Sequence, residues 1–190
     1  MPGTGNLQAL PADLPEPTDD GAADHLPGTR LPSVPLTSTG GGLVDLSTLP
    51  GTTVVYCYPM TGRPDRELPP GWDEIPGARG CTPQSCSFRD HHQDLRELGA
   101  NVFGLSTQGT AYQREAAERL HLPFELLSDE DLALAKEVGL PTFEVEGVLL
   151  IKRLTMILED GWIEKVFYPV FPPNESAQRV VEWLSPRAAE

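Results

Sequence analysis

The chain has 190 residues, with 14 Lys plus Arg against 28 Asp plus Glu, a formal net charge of −14, and 39% hydrophobic residues. That length suits one ordinary domain with a tail, and no apolar run approaches the roughly 20 residues of a bilayer span. The negative field repels phosphate backbones and anionic lipid heads, so neither nucleic acid nor a membrane is expected as a partner.

Residues 1–30 hold Pro2, Pro11, Pro15, Pro17 and Pro27 with five acids. Such a composition cannot bury enough surface of its own to offset its ordering entropy. We read it as an acidic Pro-rich arm, and residues 31–190 as the folded domain. The arm has neither a basic nor an apolar leader pattern, and its first cation is Arg30, so a cytoplasmic protein without a signal peptide is expected. Periodicity then predicts strands at residues 43–46, 53–58, 101–106, 124–127, 153–158 and 163–168. Thr53-Val-Val-Tyr-Cys-Tyr58 is apolar on both faces, the pattern of a central strand covered on both sides. Between the second and third of these strands, residues 60–80 contain Pro64, Pro69, Pro70 and Pro76 but keep Leu68, Trp72 and Ile75 as anchors, which reads as an ordered excursion. Helices are predicted at residues 85–98, with Thr82-Pro83 as N-cap and N1, and after the capping-box pattern Thr110-x-x-Gln113. A third is expected between Ser128 and the stop at Gly139, and a last one over 174–184. The Asp160-Gly161 turn predicts a hairpin, hence an α/β fold with a mixed central sheet flanked by helices.

Three cysteines in a chain this long are no disulfide scaffold. Cys81-Thr-Pro-Gln-Ser-Cys86 sets two thiols at the start of a predicted helix, directly after a Gly-containing loop. Spacing alone leaves redox chemistry, buried structural thiols and metal ligation open. A thiol of ordinary pKa, about 8.5, is about 3% thiolate at neutral pH, and a pKa of about 6 makes it about 90%. That difference is about 3.4 kcal/mol, of which a helix N-terminus supplies at most about 2. A nucleophilic Cys81 therefore requires a second positive group, and an arginine is expected to converge on it. Five helical residues are about 500° of rotation and about 7.5 Å of rise, so the two thiols cannot bond while the helix is intact. Pairing them requires the first turn to melt.

The runs Tyr56-Cys-Tyr-Pro59 and Gly80-Cys-Thr-Pro-Gln-Ser-Cys86-Ser-Phe-Arg-Asp90 resemble the peroxiredoxins, in the bacterioferritin comigratory protein or peroxiredoxin Q branch. Val102-Phe-Gly-Leu-Ser106, Leu122-Pro-Phe-Glu-Leu-Leu-Ser-Asp129 and Arg153-Leu-Thr-Met-Ile157 continue the resemblance in order. It implies a thioredoxin-like fold and a thiol peroxidase acting on hydrogen peroxide and small organic hydroperoxides without a cofactor or metal. Cys81 matches the peroxidatic cysteine, Cys86 the resolving cysteine that closes an intramolecular disulfide, and Arg153 the active-site arginine. Pro59 matches the shielding proline, the backbone N–H groups near Gly80 line the peroxide cradle, and a thioredoxin-type donor recycles the disulfide. The family's Thr or Ser three residues before the peroxidatic cysteine is replaced by Ala78, and Pro59 stands 22 positions before Cys81, roughly 15 more than usual. Thr61, a backbone group or Arg79 are the candidate substitutes.

Cys57 lies inside an apolar strand and reads as an inert buried thiol. Four ligands Cys81, Cys86, His91 and His92 along one straight helix could not surround a tetrahedral ion. His91 and His92 read as part of the helix surface, Arg79 and Arg89 as flanking cations, and Trp72 and Trp162 as packing residues. The rival reading from another class is a non-catalytic redox sensor or interaction protein oxidised at Cys81.

Overall fold

A computed structural model of the chain describes residues 6–188; the first five residues of the arm and the last two of the domain lie outside the described residues. The elements run β1 (Pro35–Ser38), β2 (Leu43–Asp45), β3 (Thr52–Cys57), α1 (Cys81–Asp90), α2 (His92–Glu97), β4 (Ala100–Ser106), α3 (Thr110–Arg119) and β5 (Glu125–Ser128). They continue with α4 (Ala133–Val138), β6 (Thr142–Val145), β7 (Val148–Ile151), β8 (Leu154–Glu159), β9 (Trp162–Phe167) and α5 (Ser176–Ala188), with short 3-10 turns at Leu46–Thr48, Trp72–Glu74 and Pro173–Glu175.

Seven strands form one mixed sheet in the order β2-β1-β5-β4-β3-β8-β9. β3, β4 and β5 are parallel, whereas β8 runs antiparallel to β3 and β9 antiparallel to β8. Every residue of β3 after Thr52 is buried, as its two-sided apolar sequence requires. Alternation sends Val54 and Tyr56 to one core, with Phe88, Leu95, Val180 and Leu184 from α1, α2 and α5. Val55 and Cys57 face the other, with Leu134 and Ala135 of α4 and with Ala23 and Leu26.

Several local expectations are corrected. The helix expected at 85–98 begins at Cys81 and breaks at His91, so Gly80 occupies the cap (φ 116°) and Thr82-Pro83 fall inside the first turn. Proline is tolerated there because the N–H it lacks has no intrahelical partner. The premise of one straight helix carrying both cysteines and both histidines fails at the same break. Gln113 closes no capping box: it is buried, its Nε2 donates to Ser106 Oγ at 3.0 Å and to Leu127 O at 2.7 Å, and Gly109 caps α3. β1 and the β6–β7 hairpin add strands that the periodicity does not reveal. Trp72 is buried and pairs with Phe143 of that hairpin, but Trp162 is 50% exposed on the edge strand β9 and is no core residue.

The described part of the arm, which cannot order itself, lies on the domain. Ala23 and Leu26 enter the core, His25 Nε2 lies 3.0 Å from Val138 O, and Asp20 accepts from Lys152 at 3.0 Å and Tyr168 at 2.8 Å. Arg79 Nη2 donates to Asn6 O at 3.1 Å, and the excursion of residues 60–80 is anchored by Trp72, Ala78 and Leu150.

The bonds from Tyr168 and Lys152 pull the Asp20 carboxyl down to about 2, against about 4 for a free carboxyl. The lower value belongs to the docked state, so this contact is at full strength above about pH 4 and is lost as pH falls through about 2. Amide-exchange protection of residues 20–26, corrected for intrinsic rates, is expected to fall across that window and to fall at neutral pH in Asp20→Asn. Unchanged protection in both would remove Asp20 as the arm's tether.

Candidate active site

Antiparallel pairing sets Cys57 opposite Leu154, so one step further Arg153 stands across from Tyr58 at the carboxyl end of β3. The chain leaves β3 through Pro59, makes the excursion, and re-enters at Gly80 to start α1. Gly80 is dictated by two constraints: its φ of 116° is a glycine conformation, and a side chain there would collide with Pro173. Cys81 therefore occupies the first helical position with its side chain turned inward, 3% exposed.

Arg153 meets it there. Its Nη2 lies 3.2 Å from Cys81 Sγ and also donates to Ala78 O at 3.0 Å and Gly77 O at 3.3 Å. Nη1 donates to Gln84 Oε1 at 2.6 Å, and Gln84 in turn donates to Ser176 Oγ at 3.3 Å. The positive group that helix electrostatics alone could not supply is in contact with the sulfur. A second donor is the Met60 N–H, 3.4 Å from Sγ.

Pro59 and Gly80, the chain neighbours of Met60 and Cys81, are both buried. Thr61 is buried too, but its hydroxyl donates to Gln108 Oε1 at 3.2 Å and makes no hydrogen bond to Cys81. Ala78 explains the missing hydroxyl: its side chain is in the apolar cluster with Trp72 and Leu150, and its carbonyl faces the site, 3.8 Å from Cys81 Sγ. Arg79 turns away to pair with Asp73 at 3.0 Å, and Arg89 pairs with Asp90 at 2.9 Å. His91 Nδ1 lies 2.9 Å from Ser87 O, and His92 packs near Phe124.

Cys86, five residues along α1, is half-buried and free, as are Cys81 and Cys57. Burial pushes its thiol up, against a partial opposing pull from Arg89. Burial pushes the Cys57 thiol far higher still, in keeping with an inert core cysteine.

Sequence reasoning missed Gln84 and Gln108. Gln84 stands one helical turn after Cys81, on the same face, and that spacing was its available signal. Gln108 follows β4 and reveals itself only when the chain is folded.

Residues 26–181 match the Redoxin family model. The chain belongs to the Redoxin family, in its peroxiredoxin Q branch. It is 31% identical over 158 residues to peroxiredoxin Q of Sedum lineare, covering 83% of this chain and 76% of the relative. The peroxiredoxin Q of Oryza sativa subsp. japonica is 32% identical over 149 residues, 78% of this chain and 61% of that one, so the chain spans about six-tenths of the rice protein's length. Both plant relatives are named as chloroplastic. Among solved structures, the peroxidoxin BcpB from Mycobacterium tuberculosis superposes with a TM-score of 0.68 at 25% identity, covering 85% of this chain and 98% of that one. This likeness agrees with the thioredoxin-like α/β fold expected of the peroxiredoxin. No helix among its described residues is long and apolar enough to cross a membrane.

With its thiol pushed up by burial, Cys86 carries less thiolate at any pH than a free cysteine. In the reduced, folded protein its alkylation by iodoacetamide is expected to lag a free-thiol standard at pH 7 and to keep rising with pH beyond about 8.5. Cys57 is expected to stay unmodified until the protein unfolds. Peptide mass mapping over a pH series checks both, and Cys86 reacting like the free standard would contradict its shielding.

Proposed function

We infer that this peroxiredoxin is a thiol peroxidase that reduces hydrogen peroxide and small organic hydroperoxides. The observation that carries the reading is the 3.2 Å contact between the Arg153 guanidinium and the Cys81 sulfur at the first position of α1.

In the proposed reaction the Cys81 thiolate attacks the terminal oxygen of ROOH. The S–O bond forms as the O–O bond breaks, and the departing oxygen takes a proton to leave as water or alcohol, giving Cys81 sulfenic acid. Arg153 and the backbone N–H groups at the start of α1 stabilise the charge that moves onto the peroxide oxygens. The buried Pro59 keeps bulk water out. Cys86 then attacks the sulfenic sulfur, a disulfide forms and water leaves. A thioredoxin-type dithiol returns both cysteines to the reduced state and is itself oxidised. The disulfide step requires the first turn of α1 to open, because an intact helix holds residues 81 and 86 about 7.5 Å apart along its axis. A compartment that maintains reduced thioredoxin, such as the cytoplasm, suits this cycle.

Intact mass after stoichiometric peroxide tests the cysteine roles. Wild type is expected to lose two hydrogens, and Cys86→Ser to gain one oxygen or more. Arg153→Met is expected to lower the peroxide rate constant by roughly a hundredfold, the scale of one lost electrostatic donor. A wild type that keeps both hydrogens, or an Arg153→Met variant at full rate, overturns the assignment. Many turnovers per chain with a dithiol donor identify an enzyme, and arrest after about one identifies a sensor.

A further inference from the structure

Ala78 leaves the site without the side-chain hydroxyl of its relatives, yet the sulfur has a second donor, and the corner that presents it is held from one side. Thr61 N–H donates to Gln108 Oε1 at 3.1 Å, Thr61 Oγ1 donates to the same oxygen at 3.2 Å, and Gln108 Nε2 donates back to Thr61 O at 3.3 Å. The next carbonyl, Gly62 O, accepts from Arg119 Nη2 at 2.9 Å, and Arg119 is steadied by Glu115 at 2.6 Å. Gln108 itself is pinned: its N–H donates to Ser106 Oγ at 3.3 Å, and its carbonyl accepts from Ser128 Oγ at 2.7 Å. The polar backbone groups of Thr61 and the carbonyl of Gly62 are thus spent on the loop after β4 and on α3. With the peptides on its far side fixed, the Met60 N–H is left directed at Cys81 Sγ, 3.4 Å away.

The geometry points to Gln108 as a positioning residue for the reacting sulfur: it clamps the corner after β3 so that the Met60 N–H holds Cys81 Sγ, in place of the missing hydroxyl at position 78. This deepens the reading of Cys81 as the peroxide-attacking thiol and rests on it. The N–H occupies one lone pair of the sulfur, so the pair aimed at the peroxide keeps a fixed direction, and misplacement of a nucleophile is costly even without loss of charge. The charged and titratable groups facing the sulfur are Arg153, directly before β8, and the phenols of Tyr56 and Tyr58 from the β3 segment. Arg79, two residues before it, is neutralised by Asp73. The clamp therefore acts through a neutral dipole on a site whose charge is already set. It also accounts for Thr61: its hydroxyl is a strut of the corner and has no lone task at the sulfur.

The test uses full-length Gln108→Ala, Gln108→Glu, Thr61→Val and Cys81→Ala, read by the peroxide rate constant, the Met60 amide resonance in a 1H–15N spectrum, and the melting temperature. Gln108→Ala is expected to lower the rate about tenfold, the scale of one orienting hydrogen bond, and to move the Met60 resonance while the melting temperature changes by only a few degrees. Gln108→Glu keeps the acceptor for Thr61 but loses the amide donor to Thr61 O, so it is expected to recover only part of that rate, whereas Thr61→Val is expected to lose about threefold. Cys81→Ala is expected to move the Met60 resonance by removing its acceptor, a result independent of whether Gln108→Ala folds. An unmoved Met60 resonance in Cys81→Ala, or a Gln108→Ala rate within twofold of wild type, overturns the clamp. A Thr61→Val loss equal to that of Gln108→Ala also overturns it, in favour of the hydroxyl acting directly. A wild type that consumes no peroxide defeats the peroxidase reading instead, while the Met60 resonances still decide the geometry.

Discussion

A guanidinium that is 3% exposed needs partners for its donors and an answer to its charge, and Arg153, whose two Nη atoms find partners while its buried Nε finds none among the described residues, dictates much of the architecture around it. Its partners are Gln84 Oε1, the carbonyls of Gly77 and Ala78, and the Cys81 sulfur; no carboxylate bonds to it among the described residues. The sulfur is the one partner in that set able to carry a negative charge. Each of the others costs the chain something. The two carbonyls require the end of the excursion to pass under β8, and Gln84 requires α1 to start at Cys81 with its first turn facing inward. That start in turn requires glycine at position 80, because Pro173 fills the space a side chain would occupy. The antiparallel register of β3 with β8 supplies the remaining coordinate.

The excursion and the arm follow from the same demand. Lengthening the link between Pro59 and Cys81 separates two halves of the site that must still converge within hydrogen-bond range. The chain answers with an apolar anchor, Trp72 against Phe143, Ala78 and Leu150, and with the arm laid across Gly77, Arg79 and Gly80 through Pro17, Asn6 and Leu10. Using Ala78 as core explains why its side chain offers no hydroxyl to the site. A threonine there would put a hydroxyl among Trp72 and Leu150, at the cost of burying a polar group without a partner.

The sheet was legible because its central strands are long and apolar on both faces: β3 needed no context beyond Val54, Val55, Tyr56 and Cys57. β1 was not, since Pro-Leu-Thr-Ser is short and begins with a residue that lacks an N–H. The β6–β7 hairpin turns through Glu146 and Gly147, both at positive φ, and Glu-Gly is a weaker turn signal than the Asp-Gly that revealed β8–β9. Likewise Cys81, Cys86 and Arg153 stood out by residue type, pattern and resemblance. Gln84 and Gln108 did not, because an amide has no distinctive spacing and gains its meaning from the partner opposite. The seat of the arm was invisible for a related reason: Ala23 and Leu26 supply two buried side chains, and Asp20 finds Lys152, 132 positions along the chain, only after the sequence between them has folded.

In the proposed cycle Gln84 would also couple the two chemical steps. It belongs to the first turn of α1 and accepts from Arg153, while its amide nitrogen holds Ser176, which lies 3.3 Å from Thr155 of β8. Residues 81–85 are all buried, and Ser85 accepts from the hydroxyl of Tyr56, whose ring stacks on Phe88 at 4.5 Å. Opening that turn to let Cys86 reach Cys81 would therefore withdraw Gln84 from Arg153 at the same moment as it removes the sulfur. The guanidinium would lose two acceptors together, so the opened turn is costly in the reduced state and is favoured only once a covalent S–S bond replaces what was lost. In the proposed cycle, the contacts that would hold the helix closed before peroxide reacts are the ones that would place the arginine to promote the reaction.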